Sequence, residues 1–137
     1  MMKVMVMCLG GFSSSALVNH LNQEAKEKGL DAQVEFLFPR SGRNRFDADN
    51  MPDLVMLCPH TAMYAKQLVS AHPDIPFYII PTRLYGMMAA EELFEDAMDV
   101  MAGWKETGMN PFHFEGEAVA IRIKRSVSHR KWLKTQQ

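Results

Sequence analysis

Short apolar runs, each followed by turn residues and then by a helical pattern, constrain the fold of this chain most. Three such runs cover residues 3–7, 53–57 and 77–80, and a weaker, alternating run covers residues 32–38. Continuous apolar runs of this length are typical of strands buried on both faces of a parallel sheet. The sequence therefore predicts an α/β fold, with a four-stranded parallel open sheet and helices on both of its faces.

Helical patterns separate these strands. Residues 13–28 place apolar side chains on one side and end at Gly29, a residue type that commonly follows a helix. A second helix fits residues 61–71, and a third fits residues 88–101 and is expected to end near Gly103. The order is β-α-β-β-α-β-α.

Two further segments are less regular. Residues 40–50 leave room for another helix between the second and third strands. After Gly103 the sequence predicts a strand over residues 118–124 and a short basic helix over residues 128–134. At 137 residues the chain has the length of one domain. We expect residues 1–103 to form its main part and residues 104–137 to be a basic C-terminal extension of the same domain.

Charge is distributed unevenly along the chain. Residues 118–137 contain six Lys or Arg residues and no acid, whereas residues 91–99 contain five acids and no base. The acidic run predicts a negative, solvated helical face, and the basic run predicts a segment that contacts a partner or the membrane beside it. A dedicated nucleic-acid-binding surface is not evident elsewhere.

The cysteine content argues for a reducing compartment. Cys8 and Cys58 are too few for a disulfide scaffold, and no paired zinc-ligand spacing occurs. The apolar stretch over residues 4–9 is shorter than a signal-peptide core, and no apolar run approaches the roughly 20 residues of a membrane span. We expect a cytoplasmic protein that uses neither a metal ion nor a cofactor.

The segment after the first strand carries the strongest chemical signal. It reads Cys-Leu-Gly-Gly-Phe-Ser-Ser-Ser over residues 8–15. A turn from a strand into a helix points successive backbone N–H groups toward one small volume, which suits a phosphate-like anion. Gly10 and Gly11 permit the tight curvature, and the serines can cap the helix or donate hydroxyl bonds. The candidate phosphate-binding residues are Leu9, Gly10, Gly11, Phe12, Ser13, Ser14 and Ser15.

Cys8, at the start of this loop, is the candidate nucleophile. Positive helix-end potential and N–H donors stabilise a thiolate, so we expect a pKa below the ~8.5 of a free thiol. A thiolate is the nucleophile that phosphoryl transfer needs, and the same donors would hold the oxygens of a phosphocysteine. The alternative is an inert core cysteine followed by serines that only cap a helix.

These residues resemble the lactose/cellobiose-type enzyme IIB components of the bacterial phosphoenolpyruvate-dependent sugar phosphotransferase system. The family pattern is a strand, a cysteine, a small loop, hydroxyl residues and a helix, and residues 8–18 match it. Residues 53–60 are similar to the family's third strand and its end. Residues 75–88 are similar to its fourth strand and the Tyr-Gly turn that follows. The resemblance covers about residues 1–103.

The resemblance implies a function and a set of partners. In that family the cysteine accepts phosphate from a phosphohistidine of a IIA protein and passes it to a sugar bound by the membrane IIC permease. The chain would then be a protein-phosphohistidine-sugar phosphotransferase acting through phosphorylated Cys8, with Tyr85 and Gly86 near its P-loop-like phosphate cradle. Since the resemblance ends near Gly103, we expect residues 118–137 to be dispensable for phosphorylation of Cys8.

Two other interpretations remain open. One is a IIB-like regulatory domain that is phosphorylated, or binds phosphate, to control a partner. The other is the low-molecular-weight tyrosine phosphatases, whose Cys-x-Gly-Asn-x-x-Arg-Ser loop overlays residues 8–15. Ser14 stands at the arginine position and cannot make the bidentate bonds to phosphate that a guanidinium makes.

Two neighbours of the loop are secondary candidates. His60 could stabilise a phosphate or transfer a proton, although a plain position at the start of a helix fits equally well. Cys58 could approach Cys8 across adjacent strands, but a small hydrophobic residue that fills space in the core is favoured.

Overall fold

The computed structural model describes residues 2–7, 12–37, 51–58, 63–81, 90–117, 123, 125 and 127–136. Within these residues the chain forms four strands and four helices. In order they are β1 (Met2–Met7), α1 (Phe12–Glu27), β2 (Ala32–Leu37), β3 (Leu54–Leu57), α2 (Ala65–Ala71), β4 (Phe77–Ile79), α3 (Ala90–Thr107) and α4 (His129–Thr135). Each of the four predicted strands, the three predicted helices and the short basic helix is present.

The four strands form one parallel sheet in the order β2-β1-β3-β4. This confirms the predicted α/β fold. The helix considered for residues 40–50 lies outside the described residues. So does most of the strand predicted over residues 118–124, where the described residue Ile123 is not in a strand.

Alternate side chains of β1, β3 and β4 enter two separate cores. On β1, Val4 and Val6 point into a cluster with side chains of α1 and α3, whereas Met5 and Met7 point into a second cluster with α2. The side chains of β1 from Val4 on and those of β3 are buried in both clusters, so these central strands need apolar residues on both faces of the sheet. This explains the continuous apolar runs and places α1 and α3 on one face of the sheet and α2 on the other.

Helix α3 is longer than its sequence predicts. It continues past Gly103 to Thr107 and is followed by Gly108, which has a φ of 75°. Gly103 is instead a packing position, since a Cβ there would overlap the ring of Phe112. The predicted boundary between residues 103 and 104 therefore falls inside a continuous helix.

The residues after α3, which we call the C-terminal segment (residues 108–136), return to the sheet. Phe112 forms a parallel bridge with Tyr78 of β4, and its N–H donates to the carbonyl of Phe77 at 2.8 Å. Phe114 is buried in the same cluster as α1 and α3, and Ile123 is also buried. The described parts of the C-terminal segment are thus part of the core.

Four of the five acids in residues 91–99 contact this segment, so the prediction of a solvated face was wrong. The fifth, Glu91, is half-exposed and lies 3.7 Å from Lys28. Arg130 pairs with Asp99 at 2.8 Å, and Lys131 lies 3.7 Å from Glu92. Asp96 is fully buried. The two runs of opposite charge neutralise each other within one chain. In the described part of the chain, no helix is long and apolar enough to cross a membrane.

Candidate functional site

The carboxyl ends of three strands lie at the same level of the sheet. The N–H of Cys58 donates to the carbonyl of Met7 at 3.0 Å, and the N–H of Ile80 donates to the carbonyl of Leu57 at 2.8 Å. β1, β3 and β4 therefore end in step, and the chain leaves each of them at the same edge.

This edge contains the topological switch point of the sheet, where the strand order reverses between β1 and β3. From β1 the chain passes through α1 on one face to β2, whereas from β3 it passes through α2 on the opposite face to β4. β1 and β3 are neighbours, and the helices after them diverge. Open α/β sheets bind their ligands in the crevice formed at such a position, beyond the carboxyl ends of the strands.

Helix α1 begins at Phe12, five residues after the end of β1. The first four N–H groups of an α-helix have no carbonyl partner within it, and together with the helix dipole they favour an anion. Here these groups belong to residues 12–15, and no acidic side chain lies in the first turn. The amino end of α1 is therefore suited to a negatively charged group held beside the end of β1.

The predicted site residues divide into two groups. Phe12, Ser13, Ser14 and Ser15 form the first turn of α1, which begins one residue earlier than predicted, and their side chains are not described. The remaining predicted residues lie outside the described part of the chain: Cys8, Leu9, Gly10, Gly11, His60 and Tyr85. The elements around the site are therefore defined, and its reacting groups stay predictions.

Cys58 follows β3 directly and is fully buried. Its side chain belongs to the core cluster beneath α1 and α3, together with Tyr78 and Ile80. This position matches the favoured interpretation of Cys58 as a small hydrophobic residue that fills the core.

A second group of ionisable residues surrounds Arg125, whose side chain is fully buried. All five guanidinium N–H donors are used: two bond Glu117 at 2.8 and 3.2 Å, one bonds Asp96 at 3.0 Å, one the carbonyl of Val127 at 2.7 Å and one the Tyr78 hydroxyl at 3.1 Å. Asp96 lies on α3 and Tyr78 on β4, whereas Glu117 and Val127 belong to the C-terminal segment. The arrangement is that of a fully satisfied structural network.

Burial perturbs the pKa values in this network. It raises the pKa of Asp96 to about 6, against the opposing effect of the Arg125 charge. Burial also raises the pKa of Tyr78 well above its ordinary value, so the phenol stays protonated. Burial lowers the pKa of Arg125, but its hydrogen bonds to Glu117 and the charge of Asp96 outweigh that effect, and the net shift is upward. The guanidinium is thus permanently charged.

His129 completes the contact between the C-terminal segment and the core. Its ring stacks on Phe114 with 4.0 Å between centroids, and its backbone N–H donates to Oδ1 of Asp96 at 2.7 Å. Burial lowers the pKa of its imidazole. This cluster was not predicted, although the sequence contains a signal for it: the acids of α3 recur at helical spacing, and a basic run follows them in the chain.

Comparison with known proteins identifies the family. Residues 3–96 match the family model described as the lactose/cellobiose-specific IIB subunit of the phosphotransferase system. The chain belongs to this IIB family. The predicted resemblance is confirmed, and the match ends within α3, before the C-terminal segment begins.

Individual IIB proteins agree with this assignment. The galactose-specific EIIB component of Lactococcus lactis subsp. cremoris (strain MG1363) is 29% identical over 105 residues, which cover 69% of this chain and 91% of that protein. The solution structure of a cellobiose-specific IIB component from Borrelia burgdorferi is similar with a TM-score of 0.56 and 29% identity. The aligned residues cover 74% of this chain and 93% of the Borrelia burgdorferi chain.

Proposed function

We propose that this IIB chain carries a phosphoryl group on Cys8, accepts it from a phosphohistidine of a IIA protein, and passes it to a sugar bound by a membrane IIC permease. Membership of the IIB family supports a role in sugar phosphotransfer. The observation that carries the finer assignment is the position of α1. Its first-turn amides begin four residues after Cys8, beside the point where the helices that follow β1 and β3 diverge to opposite faces of the sheet.

The chemistry follows from this position. The Cys8 thiolate attacks the phosphorus of the phosphohistidine, so that an S–P bond forms while the N–P bond breaks and the imidazole leaves with the electron pair. A sugar hydroxyl then attacks the same phosphorus, its proton is lost, and the S–P bond breaks to regenerate the thiolate. The amides of residues 12–15 stabilise the charge on the equatorial oxygens in both steps.

Carrier function also requires that water does not hydrolyse the phosphocysteine quickly. Ser14 occupies the position at which the tyrosine phosphatases have arginine, so the loop lacks that guanidinium. We therefore propose that Leu9, Gly10 and Gly11 with the serines hold the phosphate without activating its hydrolysis. His60 and Tyr85 are proposed neighbours of the phosphate.

The test is phosphorylation in a reconstituted chain of phosphoenolpyruvate, enzyme I, the histidine phosphocarrier protein and a cognate IIA protein. We expect one phosphate per wild-type chain, located on Cys8 by mass spectrometry. Cys8→Ser should lose this label entirely, because a serine hydroxyl is a far weaker nucleophile than a thiolate.

The second cysteine provides a matched control. Cys58→Ala, at a buried position in the core, should lower stability but leave the folded protein phosphorylated. Phosphate on another residue, or undiminished labelling of Cys8→Ser, would contradict the proposal.

A further inference from the structure

The outer edge of β2 is occupied by a side chain of α1. The N–H of Met2 donates to the carbonyl of Asp31 at 3.0 Å, so the backbone N–H and C=O groups of residues 31, 33 and 35 face β1. The backbone groups of Val34, between them, therefore face outward. Asn22 bonds both outward groups: its Nδ2 donates to the Val34 carbonyl at 2.7 Å, and the Val34 N–H donates to its Oδ1 at 2.7 Å.

The opposite edge of the sheet, on β4, has the same arrangement. The N–H of Val55 donates to Pro76, and that of Ile80 to Leu57, so Phe77 faces outward. The Phe77 N–H donates to Oδ1 of Asn110 at 2.9 Å, and Nδ2 of Asn110 donates to the Ile75 carbonyl at 2.8 Å.

A carboxamide offers the same donor and acceptor as a peptide group, so each asparagine takes the place of one residue of a neighbouring strand. An open edge with unused N–H and C=O groups is a template for pairing with another chain. A second copy of the same chain is always present wherever the protein is, and it carries the same edge strand. The contact from Phe112 to the Phe77 carbonyl adds to the closure of the β4 edge.

We propose that Asn22 and Asn110 are edge-closing residues that prevent the two outer strands from pairing with a strand of a second copy. Asn22 lies within the part of the chain that matches the family model, whereas Asn110 lies beyond it. The C-terminal segment thereby has a role in protecting the β4 edge, and this role is independent of phosphoryl transfer.

Amide hydrogen exchange combined with mass measurement tests the proposal on the full chain. In dilute Asn22→Ala, we expect the Val34 amide to exchange about five to ten times faster than in the wild type, as one hydrogen bond of ordinary strength is lost. In concentrated solution the mass should rise and the protection of Val34 should return. Asn110→Ala should likewise speed exchange of the Phe77 amide, but with a smaller rise in mass, because Phe112 still bonds the Phe77 carbonyl.

Two variants separate edge pairing from loss of fold. Asn19→Ala changes an exposed asparagine on the same helix and should alter neither mass nor Val34 exchange. Asn22→Lys should expose the Val34 amide to exchange yet remain unassociated, because a lysine on α1 beside this edge places a charge where a second strand would pair. The proposal is overturned if folded Asn22→Ala shows no association, if it associates without renewed protection of Val34, or if Asn22→Lys associates equally.

Discussion

The two ends of this chain contribute to the fold in different ways. At the β1–α1 junction the candidate phosphate site is predicted from a contiguous stretch of sequence, residues 8–15. In the C-terminal segment the decisive contacts join residues far apart in sequence, such as Arg125 with Asp96 and with Tyr78. The first kind of structure is encoded in a motif, whereas the second depends on tertiary packing.

The C-terminal segment itself contains two kinds of ion pair. Arg125 is fully buried with Asp96, while Arg130 is 38% exposed in its pair with Asp99. Breaking a buried pair leaves an uncompensated charge, whereas an exposed pair is already well solvated. The following changes test the two ends of the chain and the two kinds of pair, in order of expected effect.

Truncation after Glu117 should have the largest effect. The sequence alone predicts that residues 118–137 are dispensable for phosphorylation. The packing of Arg125 and Ser128 predicts instead that their removal leaves Asp96 buried without its cation and destabilises the protein by more than the ~3–5 kcal/mol of one broken buried pair. Urea unfolding followed by circular dichroism measures this loss. A truncated chain that keeps wild-type stability would show that the C-terminal segment is an accessory to the core.

Arg125→Met should cost about 3–5 kcal/mol of unfolding free energy, because Asp96, Glu117 and the Tyr78 hydroxyl then lack their shared donor. The pKa of Asp96 should rise further above about 6, since the charge that opposes desolvation is removed. Chemical denaturation and NMR titration of the Asp96 carboxyl measure the two effects.

The double variant Arg125→Met with Asp96→Leu is the control for the buried pair. It should recover part of the lost stability, since apolar residues of similar size can replace a buried ion pair. If Arg125→Met alone were as stable as the wild type, the network would not hold the C-terminal segment to α3.

Arg130→Ala should have the smallest effect, at most about 1 kcal/mol, and added salt should reduce it. The same denaturation experiment at low and high salt measures it. A loss as large as that of Arg125→Met would remove the distinction between buried and exposed pairs. Phosphorylation of Cys8 should be unchanged in this variant, because the acids that Arg130 pairs with among the described residues all lie on α3.

Strands and the first two helices were predictable because each has a local signature. The apolar runs identified β1 to β4 to within one residue wherever the ends are described, and Gly29 marked the end of α1. The end of α3 was not predictable from Gly103, because that glycine is needed for contact with Phe112 and not for a turn. Which residue a glycine packs against is decided by tertiary structure.

The candidate site was predicted from the same kind of local signature, and its reacting residues stay a prediction. Its surroundings are now defined by the start of α1 and by the aligned ends of β1 and β3. The covered acidic face of α3 escaped prediction for a physical reason. The spacing of charged residues shows that one face of a helix is polar. It does not show whether that face contacts water or a distant segment of the chain.

The sequence separation between Asp96 and its cation also sets an order of events during synthesis. Asp96 and Tyr78 are made before Arg125, and at ~5–20 residues per second the ribosome needs on the order of a few seconds to add the intervening stretch. During that interval a nascent chain that already contains all four strands has no guanidinium for its buried carboxylate. Completion of the core therefore waits for translation of Arg125, and a messenger truncated before that codon would yield a sheet without the cation that pairs with Asp96.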